Sequence, residues 1–145
     1  MKILLVTTSF EDCHRSNRVQ ENSHYPLGIA YLHSYLEKFG HQIETLFLND
    51  YQYSDCHDRV VESLNRFQPD FVGFNLLTPN RTTTFRMIEF LHENSSCQIL
   101  VGGIHATVMH EQILLKYPYI IAVVGEGEET TRELIEALTA RTPWS

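Results

Sequence analysis

Five short apolar runs recur along the chain: KILLV at Lys2–Val6, IETLFL at Ile43–Leu48, DFVGFNL at Asp70–Leu76, QILV at Gln98–Val101 and YIIAVV at Tyr119–Val124. Several are rich in β-branched or aromatic residues. Near-continuous apolar runs of this length describe strands buried on both faces, as in a parallel sheet. Parallel neighbours need long crossovers, and helical stripes lie where those crossovers belong. Leu32, Tyr35, Leu36 and Phe39 fall at i, i+3, i+4 and i+7, and Gly40 follows as a helix stop. Val60, Leu64 and Phe67 form a second stripe, ended by Pro69. Met87, Ile88 and Leu91 form a third, Ile113 and Leu114 mark a short fourth helix, and Leu134, Ile135 and Leu138 mark the last. Five β-α units predict an α/β fold, a three-layer α/β/α arrangement around a doubly wound, five-stranded parallel sheet of order 2-1-3-4-5.

The length of 145 residues suits one domain with one core, and a hydrophobic fraction of 43% suits a globular chain. The formal net charge is −7 and no basic stripe is present, which argues against nucleic acid or an anionic membrane surface as a partner. The run ILLV is too short for a signal peptide, and no stretch is long enough to cross a bilayer. Cys13, Cys56 and Cys97 are odd in number and widely spaced, which points to reduced thiols and a cytoplasmic location. The tail TARTPWS loses periodicity and contains Pro143. The expected division is a domain over residues 1–139 and the start of a linker over 140–145.

In an open parallel sheet, ligands bind beyond the carboxyl ends of the strands, where the winding reverses. Here that point lies between the first and third strands. The loop TTSFEDCHRSNRVQENSHYPLG, which opens with Thr8 and Ser9 in its first residues, is about twenty residues long where such connections usually run about 2–6. After the third strand comes LTPN (Leu77, Thr78, Pro79, Asn80), after the fourth GGIHAT (Gly102, Gly103, His105, Ala106 among them), and after the fifth GEGEET (Gly125, Glu126, Gly127). Each has a plain structural use. Pro79 and Asn80 start helices well, the acids of GEGEE satisfy a helix dipole, and a glycine pair can close a tight turn. Their coincidence on one edge favours a ligand site.

Familiar ligands are excluded in turn. A dinucleotide needs Gly-x-Gly-x-x-Gly after the first strand, and TTSFED has no glycine. Gly125 and Gly127 are surrounded by carboxylates that would repel a pyrophosphate. A phospho-acceptor domain would place an aspartate after the third strand, where Asn75 stands, and a lysine after the fifth, where Gly125 stands. No Cys-x-x-Cys supports a structural zinc, His105 and His110 do not share a helical face, and no Gly-x-Ser-x-Gly elbow supports a hydrolase.

Four segments taken together carry a resemblance: YPLGIAYLHSYLEKFGHQIETL (Tyr25–Leu46), PDFVGFNLLTPN (Pro69–Asn80), ILVGGIHATVMHEQIL (Ile99–Leu114) and VVGEGEETTRELIEAL (Val123–Leu138). In order and spacing they resemble the N-terminal cobalamin (B12)-binding domain of cobalamin-dependent radical S-adenosylmethionine (SAM) enzymes. The resemblance implies a flavodoxin-like, Rossmann-like domain that holds cobalamin on the carboxyl edge of its sheet. The nucleotide tail would enter a slot beside strands 1, 3 and 4, with Gly102 and Gly103 making room for it. Thr8, Ser9, Asn75, Leu77, Thr78, Pro79, Asn80, His105, Ala106, Gly125, Glu126 and Gly127 would line the rest of the cofactor site. Better-known cobalamin domains carry Asp-x-His-x-x-Gly, whose histidine ligates cobalt. DCHRSN gives Asp12, His14 and Asn17, an incomplete match, so His14 is either a cobalt ligand or a solvated loop histidine. The Ser-x-Leu that usually follows the third strand reads Asn75-Leu76-Leu77. The radical domain, which would also carry SAM, holds its iron–sulfur cluster with Cys-x-x-x-Cys-x-x-Cys, which does not occur in the chain. The resemblance therefore implies a corrinoid-carrying module, not catalytic alone, joined in cis to a radical SAM domain that uses the corrinoid for methyl transfer. The alternative is a domain that kept the fold, binds no corrinoid, and serves in protein interaction or substrate recognition.

Overall fold

A computed structural model describes residues 1–10 and 26–141. The elements alternate as expected. Strand β1 (Lys2–Thr7) precedes helix α1 (Leu27–Glu37), β2 (Gln42–Phe47) precedes α2 (Tyr53–Phe67), and β3 (Phe71–Asn75) leads through a 3-10 turn (Thr78–Asn80) into α3 (Arg81–Asn94). Strand β4 (Gln98–Gly102) is followed by α4 (Ile104–Lys116), and β5 (Ile121–Ala122) by α5 (Glu128–Ala140). All pairings are parallel and the order is β2-β1-β3-β4-β5. The doubly wound sheet read from the apolar runs is therefore the observed one.

Strand β1 lies inside the sheet, between β2 and β3, and is apolar on both sides. Leu4 and Val6 point into a cluster with Val72, Phe74, Ile99 and Val101, roofed by Val60 of α2, Met87, Ile88 and Leu91 of α3, and Ile113 of α4. Ile3 and Leu5 point the other way, into a smaller cluster with Phe71 and Leu100, covered by Ile29 and Leu36 of α1 and Leu134 and Ile135 of α5. Alternation along each strand thus sorts one sequence run into two cores.

Two elements differ from the sequence reading. The last strand is only two residues long, because Tyr119 and Ile120 follow Pro118 in a turn; there Tyr119 stacks on His92 at 3.5 Å between ring centroids. Pairing still extends one step further, since the Val123 N–H donates to the Val101 carbonyl at 2.8 Å. The fourth helix is not short. It runs for 13 residues and bends at Met109 (φ −113°, ψ 15°). Its Ile104 and Val108 face solvent at 74% and 70% exposure, so no single apolar stripe marks the first turns. The last helix extends through Ala140, one residue past the expected end of the domain, and Pro143 lies outside the described residues. No described helix is long and apolar enough to cross a membrane.

The larger cluster should dominate stability. Leu91→Ala removes a fully buried side chain and is expected to cost about 2–5 kcal/mol. Leu115→Ala, at a position 85% exposed, should change stability by less than about 0.5 kcal/mol. Urea unfolding of the two variants checks the contrast.

Candidate functional site

The two faces of the sheet are filled differently. On the α1/α5 face, parallel register places Ile3 beside Phe71, then Leu5 beside Gly73 beside Leu100, then Asn75 beside Gly102. The amino end of this face is packed with large side chains, and the carboxyl end is bared at Gly73 and Gly102. A slot of about 180 Å³ opens there. Leu5, Gly73, Asn75, Leu100 and Gly102 contribute from the sheet, Gly28, Ile29 and Leu32 from α1, and Val123, Gly125, Gly127 and Thr131 from the β5–α5 side. The chain has seven glycines, and all but Gly40 line this one slot.

The glycines are there for different reasons. A Cβ on Gly28 or Gly125 would meet nothing within 4 Å, and one on Gly102 would first meet Val123 at 3.9 Å. A methyl group at Gly28 or Gly102 would stand in the slot without striking the protein, whereas Gly125 has φ +79°, a conformation side chains rarely adopt. At Gly73 a Cβ would stand 3.1 Å from Leu5 Cδ2, so the floor of the slot is already tight. Gly103 combines a positive φ with crowding. It has φ +98° and ψ 179°, a region almost closed to other residues. A Cβ there would lie 2.6 Å from Asn75 Oδ1 and 2.8 Å from the Leu76 carbonyl oxygen. The fold itself requires that glycine, because α4 starts hard against the β3 loop: the Leu76 N–H donates to the Gly102 carbonyl at 2.7 Å, and the His105 N–H to the Leu76 carbonyl at 3.1 Å. Of the glycine pair, Gly102 leaves room and Gly103 makes a turn.

The remaining residues singled out from sequence divide in the same way. Asn75, Glu126, Gly125 and Gly127 line the slot with the pair. Asn80 is fully buried and braces the β3 loop, its Nδ2 donating to the Asn75 carbonyl at 2.9 Å and its Oδ1 accepting from the Leu77 N–H at 2.8 Å. Thr8 is also fully buried, its Oγ1 lying 2.9 Å from Thr83 Oγ1 and 2.8 Å from Thr84 Oγ1. Beside it, the Thr83 hydroxyl donates to the Ser9 carbonyl at 2.6 Å. This hydroxyl cluster ties the end of β1 to the first turn of α3. Ala106 belongs to the core of the opposite face. Thr78 and Pro79 are exposed on the carboxyl edge. There Thr78 Oγ1 lies 3.1 Å from Nδ1 of the half-buried His105. Desolvation, with the Arg81 guanidinium adding to it, lowers the His105 pKa, so its imidazole is neutral near pH 7. His14 lies outside the described residues.

A B12-binding domain model matches residues 17–135. The chain belongs to the B12-binding domain family. Among curated relatives, it is 34% identical over 115 residues to the anaerobic magnesium-protoporphyrin IX monomethyl ester cyclase of Rubrivivax gelatinosus, covering 78% of this chain and 20% of that protein. It is 32% identical over 143 residues to an uncharacterized methyltransferase of Pyrococcus horikoshii, covering 96% of this chain and 30% of that protein. The chain thus spans about a fifth to a third of the curated relatives it matches. The fold is shared with the radical S-adenosylmethionine methyltransferase TsrM of Kitasatospora setae, solved with cobalamin and a [4Fe-4S] cluster bound. The TM-score is 0.79 at 20% identity, over 98% of this chain and 25% of that one.

Within this B12-binding domain, sequence reasoning missed Gly28, Gly73, Thr131 and the apolar walls Leu5, Ile29, Leu32 and Val123. Gly73 carried a usable signal, since a glycine inside an apolar strand marks a close approach. The walls look like ordinary core positions. Thr107 was also missed. Its Oγ1 accepts from the Gly125 N–H at 3.0 Å and donates to the Gly103 carbonyl at 3.0 Å, joining two loops that frame the mouth. The glycine pair supplies a sharp contrast. Gly103→Ala should destabilise the chain by about 1–3 kcal/mol, whereas Gly102→Ala should be neutral or stabilising by up to about 1 kcal/mol, as read by thermal or urea unfolding.

Proposed function

We propose that this chain is the cobalamin-holding module of a longer radical SAM enzyme, with the nucleotide tail of the cofactor in the slot and the corrin ring across the carboxyl edge above it. One observation carries the reading: six glycines converge on a single apolar slot at the carboxyl ends of β1, β3 and β4. At about 180 Å³ the slot is smaller than the roughly 300–1,000 Å³ typical of whole-ligand pockets. That suits the base of a tail and leaves the macrocycle outside, on the edge. The residues present fit such a group, since the slot is walled by aliphatic side chains and is not plugged by any of them.

When bound, the corrinoid supplies the cobalt chemistry of methyl transfer. The protein's own residues bind and orient it. Leu5, Leu100, Ile29 and Leu32 keep the tail dry. Gly28 and Gly102 leave the passage open. Thr78 and His105 offer hydrogen-bonding groups to the ring's amide side chains along the edge, and Glu126 offers an acceptor at the mouth. The iron–sulfur cluster and SAM would belong to a radical SAM domain in cis, because Cys13, Cys56 and Cys97 are too far apart in sequence to form the cluster motif. Methyl transfer is the reaction we assign to the whole enzyme. We place it in the cytoplasm, in keeping with the odd number and wide spacing of Cys13, Cys56 and Cys97.

Hydroxocobalamin titration followed by gel filtration tests the reading. The wild-type chain should elute with a shifted visible spectrum and stoichiometric corrinoid. Gly102→Val should keep its circular dichroism and lose the corrinoid, because its side chain stands in the slot, where a Cβ meets nothing closer than Val123 at 3.9 Å. Free dye from the wild-type chain, or undiminished retention by the folded valine variant, would rule the reading out.

A further inference from the structure

The slot is apolar apart from its carboxyl end, where Asn75, Glu126 and Glu128 stand, and one position deeper along α5, Thr131. The Thr131 side chain is 3% exposed. Its backbone N–H donates to the Gly127 carbonyl at 2.8 Å, but its hydroxyl makes none of the hydrogen bonds found among the described residues. Thr107 on α4 and Thr139 on α5 instead return theirs to the carbonyl four residues back. Thr131 Oγ1 lies 3.6 Å from the place a Cβ on Gly127 would take, and Gly127 is itself a lining residue. The hydroxyl is not among the buried side-chain atoms left without a partner; it borders the slot, where a ligand can take its hydrogen bond.

We propose that Thr131 reads the tail base of the corrinoid, donating to a single ring nitrogen of an otherwise apolar fused-ring base. This rests on the cobalamin-binding reading of the same slot and adds which corrinoids it accepts. A benzimidazole that is not bound to cobalt has one free ring-nitrogen lone pair and an apolar remainder, which matches one hydroxyl among aliphatic walls. An adenine base carries an exocyclic amine and further ring nitrogens, which would be buried unpaired against Leu5 and Leu100. A phenol tail fits the walls but offers no ring nitrogen to Thr131. Discrimination comes from polar groups stripped of water without replacement, a stronger filter than shape alone.

The test uses three cobamides that differ only in the tail base: benzimidazolyl, adeninyl and phenolyl. Each is titrated into the wild-type chain and into Thr131→Val and Thr131→Ser, with visible absorbance giving Kd and circular dichroism verifying the fold. The wild-type chain should bind the benzimidazolyl form about tenfold more tightly than either other form, the effect of one hydrogen bond. Thr131→Val should lose that factor for the benzimidazolyl form and leave the phenolyl form unchanged, and Thr131→Ser should restore it. Equal affinity of the wild-type chain for all three tails overturns the assignment whatever the variants do. An unchanged ranking in a folded valine variant overturns it too. Failure of the wild-type chain to bind any of the three removes the cobalamin reading along with it.

Discussion

The structure depends on an imbalance between the two faces of one parallel sheet. The face under α2, α3 and α4 is filled from end to end by Leu4, Val6, Val72, Phe74, Ile99 and Val101. The face under α1 and α5 is filled only at its amino end, by Ile3 and Phe71, and is thinned to backbone at Gly73 and Gly102. A close-packed interior tolerates few voids, so an apolar slot kept open on one face has to be held apart by the other. The larger core does this. It fixes the register of β1, β3 and β4, and that register sets the glycines beside Leu5, Leu100 and Asn75.

The loops at the carboxyl edge are held by polar contacts that face inward. Asn80 braces the β3 loop, Thr8 ties β1 to α3 through Thr83 and Thr84, and Thr107 links the Gly103 turn to the Gly125 loop. Thr8 and Asn80 look like ligand contacts in a sequence because they are polar and sit where a ligand would. In the fold they are mostly struts. The groups that bound the slot are largely those with little or nothing to offer but space and dry surface.

That division explains what was legible from sequence. The strand order was readable because strands buried on both faces carry the signal in every residue. The short β5 and the long α4 were misjudged where the pattern is diluted. Tyr119 and Ile120 are apolar for packing in a turn, and Ile104 and Val108 are apolar yet exposed. The family was readable from four segments in order. The slot was readable only in part. Gly102, Gly125 and Gly127 stand in loops where glycines attract notice, whereas Leu5, Ile29 and Thr131 are indistinguishable from core residues until the register is known. Gly103 was paired with its neighbour through the family resemblance; it lines the slot too, and its positive φ and the closeness of Asn75 and Leu76 to where a Cβ would stand add a turn-making role that sequence does not reveal.

The central claim is that the bared carboxyl end of the α1/α5 face receives the tail of a corrinoid. Diffraction at the cobalt edge from crystals of the chain grown with cobalamin addresses it most directly. The account predicts an anomalous peak above the carboxyl edge of the sheet, with density for the base lying against Gly73 and Gly102. Cobalt on another surface, or a base outside the slot with Leu5 and Leu100 closed over it, would contradict the account.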